Sequence, residues 1–371
     1  MRKRVKKTQK IADLLFPVED ERDEISVVDI PPEKRRLLTE TYDFSVATIK
    51  DYLNKGSMFI PEFQRKYVWN RAQASRLIES LVIQCPIPVI YLSQESDERL
   101  SVIDGNQRLT SIRLFLDNEF PLQGLTAYPE LEGMFFSDLD SRIQRHMENR
   151  TLRCITILKE THPQIKFDVF ERINTGAVQL NPQEIRHGIY HGNFADLLDT
   201  LSKEKIWKNI TGINKDKRMK RSELVLRTIA LAENRESYKK PLKRFLNDFC
   251  EKNRDIDAKR QLKIKNNFLR SVAVAGFLWD KKAFKLLDKG GKTTGRSVNA
   301  ALCDAAMVAL YESDISLNDV EGSDIKRFEI EYVEMLHEEK FHSRISSATS
   351  DPPSIRYRIK RFKKLLTEHF Q

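Results

Sequence analysis

Apolar residues recur at helical spacing through most of this chain. The pattern gives way to short β-rich runs only near residues 89–103 and 152–158. Val46, Ile49, Tyr52 and Leu53 share one side of a predicted helix over residues 45–54, which Gly56 ends. Asn70 caps a second helix reaching about Gln84, with Ala74, Leu77, Ile78, Leu81 and Val82 as its core stripe. Pro86-Ile87-Pro88 forces an extended entry into residues 89–92, and residues 100–103 follow across a charged turn, so these runs are expected to pair as strands. Another helix follows Asp104, with Leu109, Ile112, Leu114, Phe115 and Leu116 inward. A further strand is expected at 152–158 and a helix at 163–174 with Phe167, Phe170 and Ile173 as its stripe. Asn181-Pro182-Gln183-Glu184 has the form of a helix start, with a capping side chain, Pro at the first helical position and Glu three residues after the cap.

From about Phe194 the pattern is almost wholly helical, with segments near 223–232, 242–250, 266–279, 298–311 and 325–336. The expected architecture is α+β: a charged N-terminal arm over 1–40, a small mixed-sheet domain over 41–193 and a basic α-helical domain over 194–371. The arm begins Arg2-Lys3-Arg4-Val5-Lys6-Lys7 and turns acidic from Glu19 to Glu24, which reads as a mobile segment or as a tail with an interrupted helix near 11–16.

The chemistry concentrates where a strand runs into a helix. Asp104-Gly105-Asn106-Gln107-Arg108 joins them by a polar turn. A helix start offers backbone N–H groups and the positive end of its dipole to an anion, and Gly105 permits close backbone approach. Arg108 adds a planar cation for phosphate oxygens, while Asp104 is suited to hold Mg²⁺ or orient a water. The same residues also make an ordinary capping turn, in which Asp104 or Asn106 merely closes the helix end. A second polar element, Ile60-Pro61-Glu62-Phe63-Gln64-Arg65-Lys66-Tyr67-Val68-Trp69, places another Arg just before a helix. Tyr67 and Trp69 are available to stack on a base or to pack as core aromatics.

These two elements together resemble the N-terminal domain of GmrSD-type restriction endonucleases, in the ParB/sulfiredoxin-like superfamily. Phe170-Glu171-Arg172-Ile173-Asn174-Thr175-Gly176 with Leu180-Asn181-Pro182-Gln183-Glu184-Ile185-Arg186 resembles that family's later signature, and Arg221-Ser222-Glu223-Leu224-Val225-Leu226-Arg227 adds a weaker fourth block. The resemblance spans roughly 42–235. It implies a nucleotide-binding and NTP-hydrolysing module serving DNA restriction or phage defence, here as a member without a fused HNH nuclease domain and therefore with a nuclease partner protein. On this reading Asp104, Gln107 and Arg108 are catalytic. Gln64, Arg65, Gly105, Asn106, Arg172 and Asn174 bind the nucleotide, Glu171 completes the rim, and Mg²⁺ is the cofactor. The family's usual Asp-Gly-Gln-Gln-Arg has Asn106 at its third position here, one methylene shorter, so binding is expected to survive more readily than rate. A DNA-binding module without hydrolysis, or a nuclease subunit acting with a partner, is the competing expectation.

Composition narrows the classes. The 371 residues suffice for two cores, and the 32% charged content describes a soluble chain. No apolar run approaches the roughly 18 residues that span a bilayer and no apolar leader is seen, so a cytoplasmic location is expected. Cys85, Cys154, Cys250 and Cys303 lack metal-site spacing and read as reduced core residues; His187 and His191 lack the Glu of a zinc-protease motif. Charge is uneven: residues 203–296 hold 27 Lys and Arg against 11 Asp and Glu, although the whole chain carries only +10. With Trp207, Tyr238, Phe245 and Phe268 between the charges, this window is a candidate DNA contact. Gly290-Gly291-Lys292-Thr293 within it is not a phosphate-binding P-loop, because position 286 is Leu and no strand precedes it; a flexible basic loop is expected.

Overall fold

Strands drawn from well-separated parts of the sequence make one mixed sheet in the computed structural model, which describes residues 35–61, 67–173, 180–216, 218–295, 297–321 and 325–370. The chain divides into two units. One runs through Asp196 and includes Arg218 and Met219; the other comprises Leu197–Asp216 and the chain from Lys220. Most of the expected N-terminal arm lies outside the described residues, and its end at residue 40 falls inside a strand.

The first unit holds β1 (Thr39–Ser45), α1 (Val46–Lys55), β2 (Met58–Phe59), α2 (Arg71–Val82), β3 (Ile90–Gln94), β4 (Leu100–Asp104), α3 (Asn106–Leu116), α4 (Ser141–Asn149), β5 (Thr151–Ile157), α5 (Pro163–Ile173) and α6 (Pro182–Ile189). Strand order is β1-β5-β3-β4-β2. The β1/β5 and β3/β4 pairs are antiparallel, and β5/β3 and β4/β2 are parallel. The expected strands are present, and β1 and β2 are additions. Gly56 ends α1 at φ 74°, a left-handed conformation that costs glycine little. Asn70 and Gln73 form a reciprocal capping box on α2, and Asn181 and Glu184 another on α6.

The core packs the inner stripes of α1, α2 and α3 against the sheet: Val46, Ile49, Ile78, Leu81, Leu109, Ile112 and Phe115 meet Ile90, Leu92, Val102 and Cys154. A buried carboxylate organises the long connection after α3. Glu79 of α2 accepts backbone N–H bonds from Thr126, Ala127 and Tyr128 at 2.9, 2.6 and 3.0 Å, and a bond from the Thr126 hydroxyl. Burial opposes ionisation, but these four donors outweigh it and hold the Glu79 carboxyl below its ordinary range.

The remaining helices are α7 (Asn193–Ser202), across the division, then α8 (Lys205–Thr211), α9 (Lys220–Asn234), α10 (Leu242–Lys252), α11 (Ala258–Trp279), α12 (Ala300–Glu312), α13 (Leu317–Glu321), α14 (Ile325–His337), α15 (Glu339–Ser346) and α16 (Pro352–Phe370). Every residue of α12 from Ala301 to Tyr311 is buried, as its nearly all-apolar sequence requires of a central helix. Its one fully buried acidic residue, Asp304, is matched by a two-pronged bond from Arg227 of α9 at 3.0 and 2.7 Å.

Two expectations are corrected in this unit. Trp207, Tyr238, Phe245 and Phe268 are all buried: Trp207 packs edge-on against Phe268, and Tyr238 against Phe245. Helices of this unit alternate a charged outer face with an apolar inner one, so rings interleaved with lysines in sequence point the opposite way. The loop near 286–294 is a hairpin tied down by Asp288, whose carboxylate accepts the N–H groups of Gly290 and Lys292 at 2.9 Å. Leu287 and Thr293 pair across it. Among the cysteines, Cys154, Cys250 and Cys303 are buried as expected, whereas Cys85 is exposed.

Glu79→Gln puts an amide donor against N–H groups that need an acceptor, and is expected to cost about 1–3 kcal/mol at pH 7. The folded carboxyl titrates below its ordinary 4.5, so its contribution is complete above that pH and fades as pH falls through the lower folded value. Urea melts of the two proteins should differ at pH 7 and converge toward pH 3; a constant difference would exclude the carboxylate as the cause.

Candidate functional site

Asp104 is the last residue of β4 and stands opposite Tyr91, one step beyond an irregularity that skips Ile103 between the Leu92–Val102 and Tyr91–Asp104 pairs. The skip turns the end of β4 and leaves the Asp104 carboxylate half exposed, at 49%. Gly105 follows at φ 109° and begins α3, whose start has no side-chain cap among the described residues. The capping-turn alternative therefore does not describe these residues: the Asp104 carboxylate reaches Arg108 instead.

Arg108 is the anchor of the turn. Its Nη2 donates to Asp104 Oδ2 at 2.6 Å, and its Nη1 donates to Val89 O at 3.3 Å and to Pro88 O. Only 12% of the side chain is exposed. The Pro86-Ile87-Pro88 segment lies outside regular secondary structure, and Arg108 supplies donors to the carbonyls of Pro88 and Val89 at its end. That partnership was not foreseen from the sequence, although two prolines just before a short strand mark carbonyls in need of an outside donor.

Gln107 points elsewhere. Its Oε1 accepts the backbone N–H groups of Val68 and Trp69 at 2.9 and 3.2 Å, fixing the chain that follows the 60–66 element onto α3. Tyr67 Oη lies 3.0 Å from Ser111 Oγ, and Trp69 packs partly buried against the core, so both aromatics of this element serve packing. Val68 between them is 66% exposed. Asn106 Oδ1 accepts from the Thr110 hydroxyl at 3.0 Å, along its own helix.

The expected site residues Gln64, Arg65 and Asn174 lie outside the described residues. Glu171 and Arg172 stand exposed on the last turn of α5, where a cation complements the helix's negative end. The structure thus joins Asp104 and Arg108 directly, with the adjacent Gln107 holding the backbone of Val68 and Trp69. Cys154 of β5 pairs with Ile90, but burial pushes its thiol up to about 12, with Asp43 adding and Arg108 opposing, so it remains protonated and unreactive. No cluster of three metal-ligating side chains occurs among the described residues. No helix of the described residues is long and apolar enough to cross a membrane.

Gly105 is dictated by this packing. A Cβ there would lie 2.6 Å from Ile90 Cδ1, on a residue that is itself wholly buried, and the positive φ disfavours any side chain. Gly105→Ala is expected to lose about 2–4 kcal/mol, from left-handed strain and overpacking together. Thermal melting checks this, and an unchanged midpoint would refute the tight Gly105–Ile90 contact.

Residues 49–191 match the family model for the GmrSD restriction endonuclease, N-terminal domain. No curated protein matches the chain. The matched segment begins within α1 and ends just after α6, so it contains β2–β5, the 104–108 turn and Arg172. It stops short of the 221–227 block, whose Arg227 is engaged with Asp304 in the helical unit. Over residues 49–191, the chain is similar to the GmrSD restriction endonuclease N-terminal domain.

Proposed function

We propose that the chain binds a nucleoside triphosphate at the 104–108 turn and hydrolyses it, as one component of a DNA restriction or phage-defence system in which a nuclease partner cleaves the DNA. The observation that carries this reading is the half-exposed Asp104 carboxylate, held at 2.6 Å by a nearly buried guanidinium beside a helix start that has no side-chain cap among the described residues. A carboxylate so fixed is suited to orient an attacking water, and the helix start to receive phosphate oxygens. The family match supports the same reading, since the matched description is that of a restriction endonuclease domain.

Residues 104–108 themselves contribute one acid, Asp104, and no cluster of three metal-ligating side chains occurs among the described residues. That donor set fits Mg²⁺ arriving on the nucleotide's phosphates, as Mg²⁺ is commonly held by one carboxylate plus phosphate oxygens, and does not fit a resident ion caged by protein. When bound, the ion would neutralise phosphate charge. In this scheme Arg108 acts chiefly through Asp104, as a positioning residue. Phosphate charge falls to Arg65 and Arg172, and Gln64, Asn106, Gln107 and Asn174 supply amides.

A second reading, nucleic-acid recognition without turnover, is favoured by one fact: the side chains of Gln107 and Arg108 already bond protein backbone groups. Phosphate release from Mg²⁺ complexes of ATP, GTP, CTP and UTP, with and without DNA, separates the two. Asp104→Asn is expected to lower the rate by about 10²- to 10⁴-fold while leaving the melting midpoint nearly unchanged. Arg108→Lys is expected to lower both, because a point cation cannot span Asp104, Pro88 and Val89. Wild-type release that Asp104→Asn leaves intact would remove the site assignment, and no release from any nucleotide would favour the second reading.

A further inference from the structure

We propose that the surface formed by α8, the C-terminal half of α11 and residues 280–292 binds single-stranded nucleic acid, with phosphates on its lysines and an unstacked base against Phe277. This deepens the nucleic-acid half of the proposed function and does not depend on nucleotide turnover.

The lysines are gathered by the fold. Lys205 and Lys208 stand exposed on α8. Asn209 donates to Asp280 Oδ1 at 3.0 Å, which ties the end of α8 to the turn bearing the exposed Lys281 and Lys282. Lys285 Nζ reaches within 4.0 Å of a Cβ position on Gly212, just past α8, and the Asp288 hairpin then carries the exposed Lys289 and Lys292. Of the neighbouring acids, Asp280 is bonded by Asn209, Asp288 by its own hairpin, and Asp216 by the N–H groups of Lys220 and Arg221, while Glu204 and Glu321 stand at the border and leave the lysines in excess. Among the described residues none of these exposed lysines has a carboxylate partner. Unneutralised cations at this density favour a polyanion.

An apolar groove adjoins them. Ile206, Ile210, Ala273, Phe277 and Leu317 line it, with Lys205 on its border and Asp280 and Glu321 also at its wall. Ile206 lies over Gly276, where a Cβ would stand 2.8 Å from Ile206 Cγ2, so the glycine lets α8 approach α11 closely. Phe277 remains 46% exposed and Ile206 47%. An exposed ring beside lysines is what a sequence-tolerant single strand uses, whereas a duplex keeps its bases stacked on one another.

The test is fluorescence anisotropy of the full chain, without nucleotide, using a labelled oligothymidylate and a duplex of equal length across a range of salt. The single strand is expected to bind more tightly, with affinity falling steeply as salt rises, by a log–log slope of about 0.7 per phosphate contacted. Lys208→Glu/Lys281→Glu/Lys282→Glu should weaken binding at least about 30-fold at low salt and flatten that slope. Phe277→Ala should weaken the single strand about 10-fold without changing the slope or the duplex. All four positions are exposed, and melting curves confirm that the variants fold. Absent binding, indifference to the triple lysine variant, or equal binding of an acidic peptide would overturn the proposal. Loss of nucleotide hydrolysis in Asp104→Asn with this binding intact would show the two readings to be separate.

Discussion

The Arg108 guanidinium holds the candidate site together. It joins three parts of the first unit: the end of β4 through Asp104, the approach to β3 through the carbonyls of Pro88 and Val89, and α3, on which it stands. Each bond answers a different cost. The carbonyls belong to a segment entering the sheet, where an unmatched acceptor is expensive, and the carboxylate gains a fixed orientation at the end of β4. Gly105 completes the arrangement from below, since only a residue without a side chain lets the turn settle onto Ile90. The geometry around Asp104 is therefore a consequence of core packing, and not a loose loop awaiting a ligand.

That dependence explains what could be read from sequence. Helix starts with local signals were legible: Asn70 with Gln73, Asn181 with Glu184, and the glycine stop at Gly56 all act within four residues. The strands at β3, β4 and β5 were legible from their apolar runs. By contrast, β1 has an exposed, largely polar sequence, and its partner β5 lies more than a hundred residues away in the chain. An edge strand of that kind is defined by its neighbour, not by its own pattern. The α16 helix was missed because its arginines and lysines obscure the stripe of Ile355, Ile359, Phe362 and Leu366.

The same reasoning separates the visible from the hidden in the site. Asp104, Gly105 and Arg108 stood out because a strand, a glycine and a helix meet there. The direction of each side chain did not, because it follows from bonds to residues remote in sequence: Pro88 for Arg108, Val68 and Trp69 for Gln107. The aromatics of the basic window show the opposite failure. Interleaving in sequence suggested a shared surface, whereas helical periodicity sends the rings inward and leaves lysines outside. Phe277, an exposed ring outside that group, was not singled out, since one more apolar residue on a long helix carries no signal until its neighbours are in place.

The two amides of the turn illustrate how little residue type alone decides. Asn106 is the departure from the resembling family's usual Gln, yet its carbonyl oxygen is spent on Thr110 within the same helix. Gln107 Oε1 faces two backbone N–H donors, which only an oxygen can satisfy, so the orientation of its amide is set by chemistry and its NH₂ group occupies the other end. Both amides are oriented through their oxygens, Asn106 within its own helix and Gln107 toward a segment remote in sequence. The longer side chain at position 107, anchored by a segment that leads directly into Gln64 and Arg65, can therefore couple that segment to the turn, while the shortening at Asn106 falls where the side chain turns back on its own helix.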